Sequence, residues 1–170
     1  MIISQIETIR VAQFPDLIFV QVHTDTGLTG LGETWYAAAT VESAIHDHFG
    51  PLLVGRDPFE IERHWQTMFR LSDHAGYGGA ELRAISAIDV ALWDIKGQSL
   101  NMPIFEIIGG GTRNRIKVYN TLGVYGEIDE AHKVWSDPVE VARNLLDQGI
   151  TGMKMSPTDF IARESDGQLL

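Results

Sequence analysis

The stretch Ala84-Ile85-Ser86-Ala87-Ile88-Asp89-Val90-Ala91-Leu92-Trp93-Asp94-Ile95-Lys96-Gly97-Gln98 decides how the rest of the chain is read. Its apolar residues at 84, 85, 87, 88, 91, 92 and 95 recur at helical spacing and give one wide buried face. The pattern predicts a helix from about Ala80 to Lys96, opening after Gly78-Gly79. Alanine at positions 84, 87 and 91 implies that a neighbouring element packs closely against it.

Working outward toward the N-terminus, Ile2–Val11 and Leu17–Thr24 are rich in Ile, Val, Thr and Phe, and Ile18, Val20 and Val22 alternate with Phe19, Gln21 and His23. Pro15-Asp16 fits a connection between two antiparallel strands, and Asp25-Thr26-Gly27 turns the chain into a third, Leu28–Thr34. Gly27, Gly30 and Gly32 read as turn and bulge glycines. Thr40 is expected to cap a short helix that breaks or kinks at Gly50-Pro51, with His48 on its apolar stripe. Asp57-Pro58-Phe59-Glu60 reads as a second helix start, with Asp57 as N-cap, Pro58 at N1 and Glu60 closing a capping box, ahead of a stripe of Ile61, Trp65, Met68 and Phe69. Pro103 opens one more short helix, which Gly109-Gly110-Gly111 ends.

Beyond that seam the pattern changes. Arg115–Gly123 reads as a strand, Pro138–Gln148 as a helix and Thr151–Ser156 as a strand, a βαβ unit characteristic of parallel sheets and barrels. The fold class is therefore α+β: a three-stranded antiparallel meander with a helical bundle over residues 1–112, then over 113–170 the opening of an α/β arrangement.

Composition narrows the function classes. Thirteen basic and 23 acidic residues give a net charge of −10, which disfavours nucleic acid and anionic membranes as partners. With no cysteine, thiolate catalysis, disulfides and zinc ribbons are excluded. The first residues lack the features of a secretion signal and no apolar run has the length of a membrane span, so a cytoplasmic location is the default expectation.

Residues 84–98, followed by Pro103-Ile104 and Ile108-Gly109-Gly110, closely resemble the signature helix of the mandelate racemase and muconate lactonizing enzyme group of the enolase superfamily. The resemblance extends to Gly27–Glu33, Arg115–Thr121 and Gly149–Lys154. It implies an enolase-like N-terminal capping domain over residues 1–112 and, over 113–170, the first one to two β/α units of an incomplete TIM-like barrel, since a whole barrel of eight units takes about 250 residues. It also implies an enzyme that removes the proton α to a substrate carboxylate, with a magnesium ion stabilising the enediolate. The metal's carboxylate ligands lie on later barrel strands than those read here, so no metal ligand is assigned and Mg2+ is expected only for a full-length parent enzyme. The substrate implied is a small carboxylate, a sugar acid, and the full-length form is expected to be a homo-oligomer.

Lys154 stands at the end of the second barrel strand, where barrel enzymes place catalytic groups. Many relatives carry Lys-x-Lys there with the second lysine as base; here the triplet is Lys154-Met155-Ser156, and a hydroxyl takes the base's place. That disfavours a lysine racemase. Together with the continuation Pro157-Thr158-Asp159-Phe160 it resembles an acid-sugar dehydratase-like branch, a hydro-lyase. Lys154 and Ser156 are the catalytic candidates; the alternative for Lys154 is a rim lysine paired with a carboxylate. Asn120, beside Tyr119, is a candidate substrate contact, with packing or capping as the alternative. Trp35, Tyr36, His74 and Tyr77 fall on loops that close over substrate in relatives, and an ordinary surface loop is the other reading. Asp89 and Asp94 read as interface hydrogen-bonding groups on the signature helix. Racemization, cycloisomerization or a non-catalytic truncated module remain the competing functions, and the chain alone is expected to be inactive.

Overall fold

The structure is a computed structural model that describes residues 1–75, 78–125 and 128–155. It divides into two compact units, Met1–Thr112 and Arg113–Leu170.

The first unit is built on strands β1 (Ile3–Val11), β2 (Phe14–Thr24) and β3 (Thr29–Trp35), antiparallel in the order β1-β2-β3. Alternation sends Ile18, Val20 and Val22 into the core. The β1–β2 turn falls at Ala12-Gln13, not at Pro15-Asp16. Pairing jumps from Arg10↔Ile18 to Val11↔Phe14, so Pro15 sits opposite the irregularity, where its missing N–H costs no ladder bond. Gly27, with φ +86°, makes the next turn, and its N–H donates to the Thr24 carbonyl at 3.2 Å.

A helical run then covers the sheet. It comprises α1 (Ala38–Ser43), a π turn (Ala44–Phe49) and α2 (Gly50–Leu53). The expected cap fails here, and of the break or kink expected at Gly50-Pro51 the break fails. Thr40 lies inside α1, because Ala37 takes the N-cap position in the left-handed region. The helix also passes through Gly50-Pro51, since the widened turn lets Gly50 N–H reach back to the Ile45 carbonyl and makes room for the proline ring. The extra residue of the π turn shifts the helical phase, leaving Phe49 buried and His48 exposed rather than on the stripe.

Helix α3 (Ile61–Ser72) starts later than Asp57-Pro58 predicts. The Asp57 carboxylate accepts from Phe59 N–H at 2.9 Å in a local turn, and Glu60 becomes the N-cap with its own carboxylate turned to Arg63 at 2.6 Å. Ile61 and Met68 are buried as read, and Trp65 stacks on Phe69 at 4.9 Å. His64, not anticipated, is buried with Nε2 2.7 Å from the Asp57 carbonyl.

Helix α4 (Ala80–Leu100) lies along β3, with Ala84, Ile85, Ala87, Ile88, Ala91, Leu92 and Ile95 all fully buried. The approach is backbone to backbone. A Cβ added to Gly30 would fall on the Ala91 carbonyl oxygen and 2.7 Å from Ile95 Cγ1; one added to Gly32 would fall on the Ala87 carbonyl oxygen. Gly30 and Gly32 are thus contact glycines, not bulge glycines. A short α5 (Ile104–Ile107) follows Pro103.

In the second unit, a two-stranded hairpin of β4 (Val124–Tyr125) and β5 (Ile128–Asp129) precedes α6 (Glu130–Ser136) and α7 (Pro138–Asp147). Asp129 and Asp137 cap the two helices, accepting from His132 N–H and Glu140 N–H. The two parallel strands read from the sequence shrink, among the described residues, to one parallel bridge, Asn120↔Met153. It is closed by Asn120 N–H to the Gly152 carbonyl at 3.0 Å and Lys154 N–H to the Asn120 carbonyl at 2.8 Å. Leu122, Val134, Val141 and Leu145 form the local core.

Candidate functional site

In the first unit two of the candidates, Trp35 and Tyr36, meet where β3 hands over to α1. Trp35 ends β3, and Tyr36 and Ala37 follow with φ of +70° and +54°. Two consecutive left-handed non-glycine residues cost about 1 kcal/mol or more each, so surrounding bonds must hold them. Tyr36 N–H donates to the Asp16 carbonyl at 3.0 Å. The Trp35 carbonyl accepts from Arg83 Nη1 at 2.6 Å, and the same guanidinium carbon lies 5.5 Å from the centre of the Tyr36 ring. Trp35 and Tyr36 meet edge to face at 5.9 Å. The result is a braced turn that presents a 58% exposed tyrosine beside an exposed arginine. Arg83 was not singled out from sequence. It sits just before the apolar run of α4, and nothing in the spacing shows that this position meets the end of β3.

His74 is exposed in the 3-10 turn Asp73–Ala75 that follows α3. Tyr77 lies outside the described residues, as does Ser156.

In the second unit, Met153 and Met155 pack against the cluster of Leu122, Val134, Val141 and Leu145. Strand alternation then turns Lys154 to the face opposite that helical layer, where it is exposed. In a βαβ arrangement that face is the one a barrel encloses. Asn120 Oδ1 accepts from Leu122 N–H at 2.6 Å and steadies Leu122 at φ +58°. This local capping bond occupies the oxygen, while the backbone of Asn120 carries the bridge to Met153.

The acidic residues of α4 divide in role. Asp94 Oδ2 accepts from Leu31 N–H and from Gln98 Nε2, both at 2.9 Å, and Gln98 Nε2 also donates to the Thr29 carbonyl at 2.8 Å. Asp94 therefore finds its partners within its own unit. Asp89 is half-buried; burial first, and the Glu62 charge second, raise its carboxyl above the ordinary range. Among the described residues no three His, Asp or Glu side chains converge on a possible cation site, so the metal implied by the resemblance has no ligand set among them. No helix among them is long and apolar enough to cross a membrane.

Comparison with known proteins places these features in a family. The family model described as mandelate racemase / muconate lactonizing enzyme, N-terminal domain, matches residues 5–109. A D-galactonate dehydratase of Variovorax paradoxus is 40% identical over 162 residues, which is 94% of this chain and 39% of that protein. Among solved structures, an enolase of the mandelate racemase subgroup from Agrobacterium tumefaciens superimposes with a TM-score of 0.82 at 41% identity, covering 100% of this chain and 42% of that one. The 3,6-anhydro-D-galactonate cycloisomerase of Zobellia galactanivorans gives 0.77 at 36% identity, covering 91% of this chain and 42% of its own. The chain thus spans about two fifths of the length of these relatives. A three-stranded meander with α4 seated on Gly30 and Gly32, matched across residues 5–109, makes this chain a member of the mandelate racemase / muconate lactonizing enzyme family of the enolase superfamily, carrying its N-terminal capping domain.

Proposed function

We propose that this chain is the N-terminal part of a magnesium-dependent sugar-acid dehydratase, with residues 1–112 as the capping domain and 113–170 as the start of the barrel. The observation carrying this reading is the 40% identity with a D-galactonate dehydratase over 94% of the chain. In the proposed reaction a base removes the proton α to the carboxylate, the β-hydroxide departs, and the resulting enol tautomerises to a 2-keto-3-deoxy acid. Lys154, on the face away from the helices, is proposed to place its ammonium against the carboxylate oxygens as negative charge grows there. Ser156 remains a candidate beside it, by alternation. Trp35, Tyr36 and His74, with Tyr77, are proposed to contact the hydroxylated part of the substrate. Asn120 is proposed to support the Lys154 strand through its bridge. The magnesium ligands and the base would lie outside the described residues. The 170-residue chain by itself is accordingly proposed to be inactive, and the working enzyme to be a cytoplasmic homo-oligomer.

A second reading, cycloisomerization, is favoured by the 36% identity with the anhydro-galactonate cycloisomerase. Assaying the complete enzyme against a panel of sugar acids with magnesium distinguishes the two. Dehydration releases a keto acid lighter than its substrate by one water, and chelation of the metal stops it. A keto acid of unchanged mass, formed only from a 3,6-anhydro acid as its ring ether breaks, would reject the dehydratase reading.

A further inference from the structure

We propose that Arg83 is a positioning residue that sets substrate selectivity by holding the Trp35–Ala37 turn in its left-handed conformation and presenting Tyr36; the inference rests on the sugar-acid reading above. Three observations converge on it. Tyr36 and Ala37 occupy a backbone region that tyrosine and alanine avoid, so the turn relaxes unless something holds it. The peptide on the N-terminal side of that strained pair is fixed on both of its polar groups, by Arg83 Nη1 at the Trp35 carbonyl and by the Asp16 carbonyl at Tyr36 N–H. The guanidinium also covers the Tyr36 ring, limiting the rotation of a side chain that is otherwise mostly exposed.

The position of Arg83 favours this role over that of a surface charge. Nη1 is spent on a backbone carbonyl, and among the described residues Arg83 forms no carboxylate ion pair. The rest of the guanidinium lies over the Tyr36 ring, so the phenol held beneath it offers a hydroxyl-rich substrate one fixed hydroxyl and one flat face. Such a platform discriminates between sugar acids by the hydroxyls it can pair. It acts on binding, while proton abstraction depends on groups elsewhere.

The test is steady-state kinetics of the complete enzyme with a panel of sugar acids, comparing wild type with Arg83→Met, Arg83→Lys and Tyr36→Phe. Arg83→Met is expected to raise KM for the preferred acid by about tenfold or more and to narrow the preference between acids, with kcat changed by less than about threefold. Arg83→Lys keeps one donor for the Trp35 carbonyl but loses the planar cover, so it should recover only part of the loss. An unchanged KM and preference in Arg83→Met, or full recovery by Arg83→Lys, would overturn the proposal. If wild type converts no sugar acid, the reading of the activity fails instead. Near-ultraviolet circular dichroism of the 170-residue chain then decides the positioning role: the Trp35–Tyr36 signal should fall in Arg83→Met and persist in part in Arg83→Lys, and an unaltered spectrum in Arg83→Met would refute it.

Discussion

Gly32 and Asp89 make opposite demands on α4. At Gly32 the carbonyl of Ala87 occupies the place a Cβ would take, and backbone cannot swing aside as a side chain can. Gly32→Ala should therefore cost about 3 kcal/mol or more, read as a lowered denaturation midpoint, whereas Gly27→Ala meets no neighbour and pays only for its φ of +86°. Equal losses at the two positions would contradict this close approach. Asp89 works through charge. Because burial and Glu62 raise its carboxyl, the folded state holds that proton more firmly than the unfolded chain does. Its contribution is fully present below the ordinary value of 3.8 and is lost as pH rises through the raised value, so at neutral pH ionised Asp89 works against the fold. Asp89→Asn should raise Tm at pH 7, and the advantage over wild type should shrink on acidification. A variant less stable than wild type at pH 7 would show that the carboxylate has a partner after all. The alanine spacing of α4 made close packing legible in the sequence, but the glycines that receive it read as bulge glycines. Their partners are 55 or more positions away in sequence, and only the sheet brings them together.

At the scale of elements, β3 is an edge strand, and α4 closes that edge with side chains in place of a further strand. Asp94 takes the Leu31 N–H, Gln98 gives to the Thr29 carbonyl, and Arg83 gives to the Trp35 carbonyl, so one helix meets main-chain groups along the length of the strand. Asp94→Ala should cost about 1 kcal/mol and speed hydrogen exchange at Leu31 while leaving the β2 amides unchanged. Unchanged exchange at Leu31 would remove Asp94 from this role. Strand and helix types were readable from periodicity, since Ile18, Val20 and Val22 follow period two and α4 follows the helical period. Helix starts were less so. Asp57-Pro58 has the composition of a helix start, yet its carboxylate bonds Phe59 in a turn and the helix begins at Ile61. The π turn at Ala44–Phe49 leaves no local sequence signal beyond Gly50-Pro51 itself, which is why the helix was expected to break or kink there.

For the molecule as a whole, the described candidates lie in the braced turn of Trp35 and Tyr36 and at the exposed His74 in residues 1–112, and at Asn120 and Lys154 on a parallel bridge in 113–170. Lys154 was singled out because family-like residues surround it, and the partial burial of Met153 and Met155 on the other side is the physical reason for its orientation. The brace at Arg83 was not legible, since it depends on a contact 48 positions apart in sequence. If Lys154 neutralises the developing carboxylate charge, Lys154→Met in the complete enzyme should lower kcat by about a hundredfold or more with little change in Tm. Unaltered kcat would return it to the role of a rim lysine. The central claim, a dehydratase that begins with α-proton removal, is tested most directly by mass spectrometry of the complete enzyme's product from D-galactonate in deuterium oxide with magnesium. The account predicts a keto acid lighter than the substrate by one water and carrying solvent deuterium at C3; an acid that has lost no water, with deuterium exchanged at C2, would contradict it.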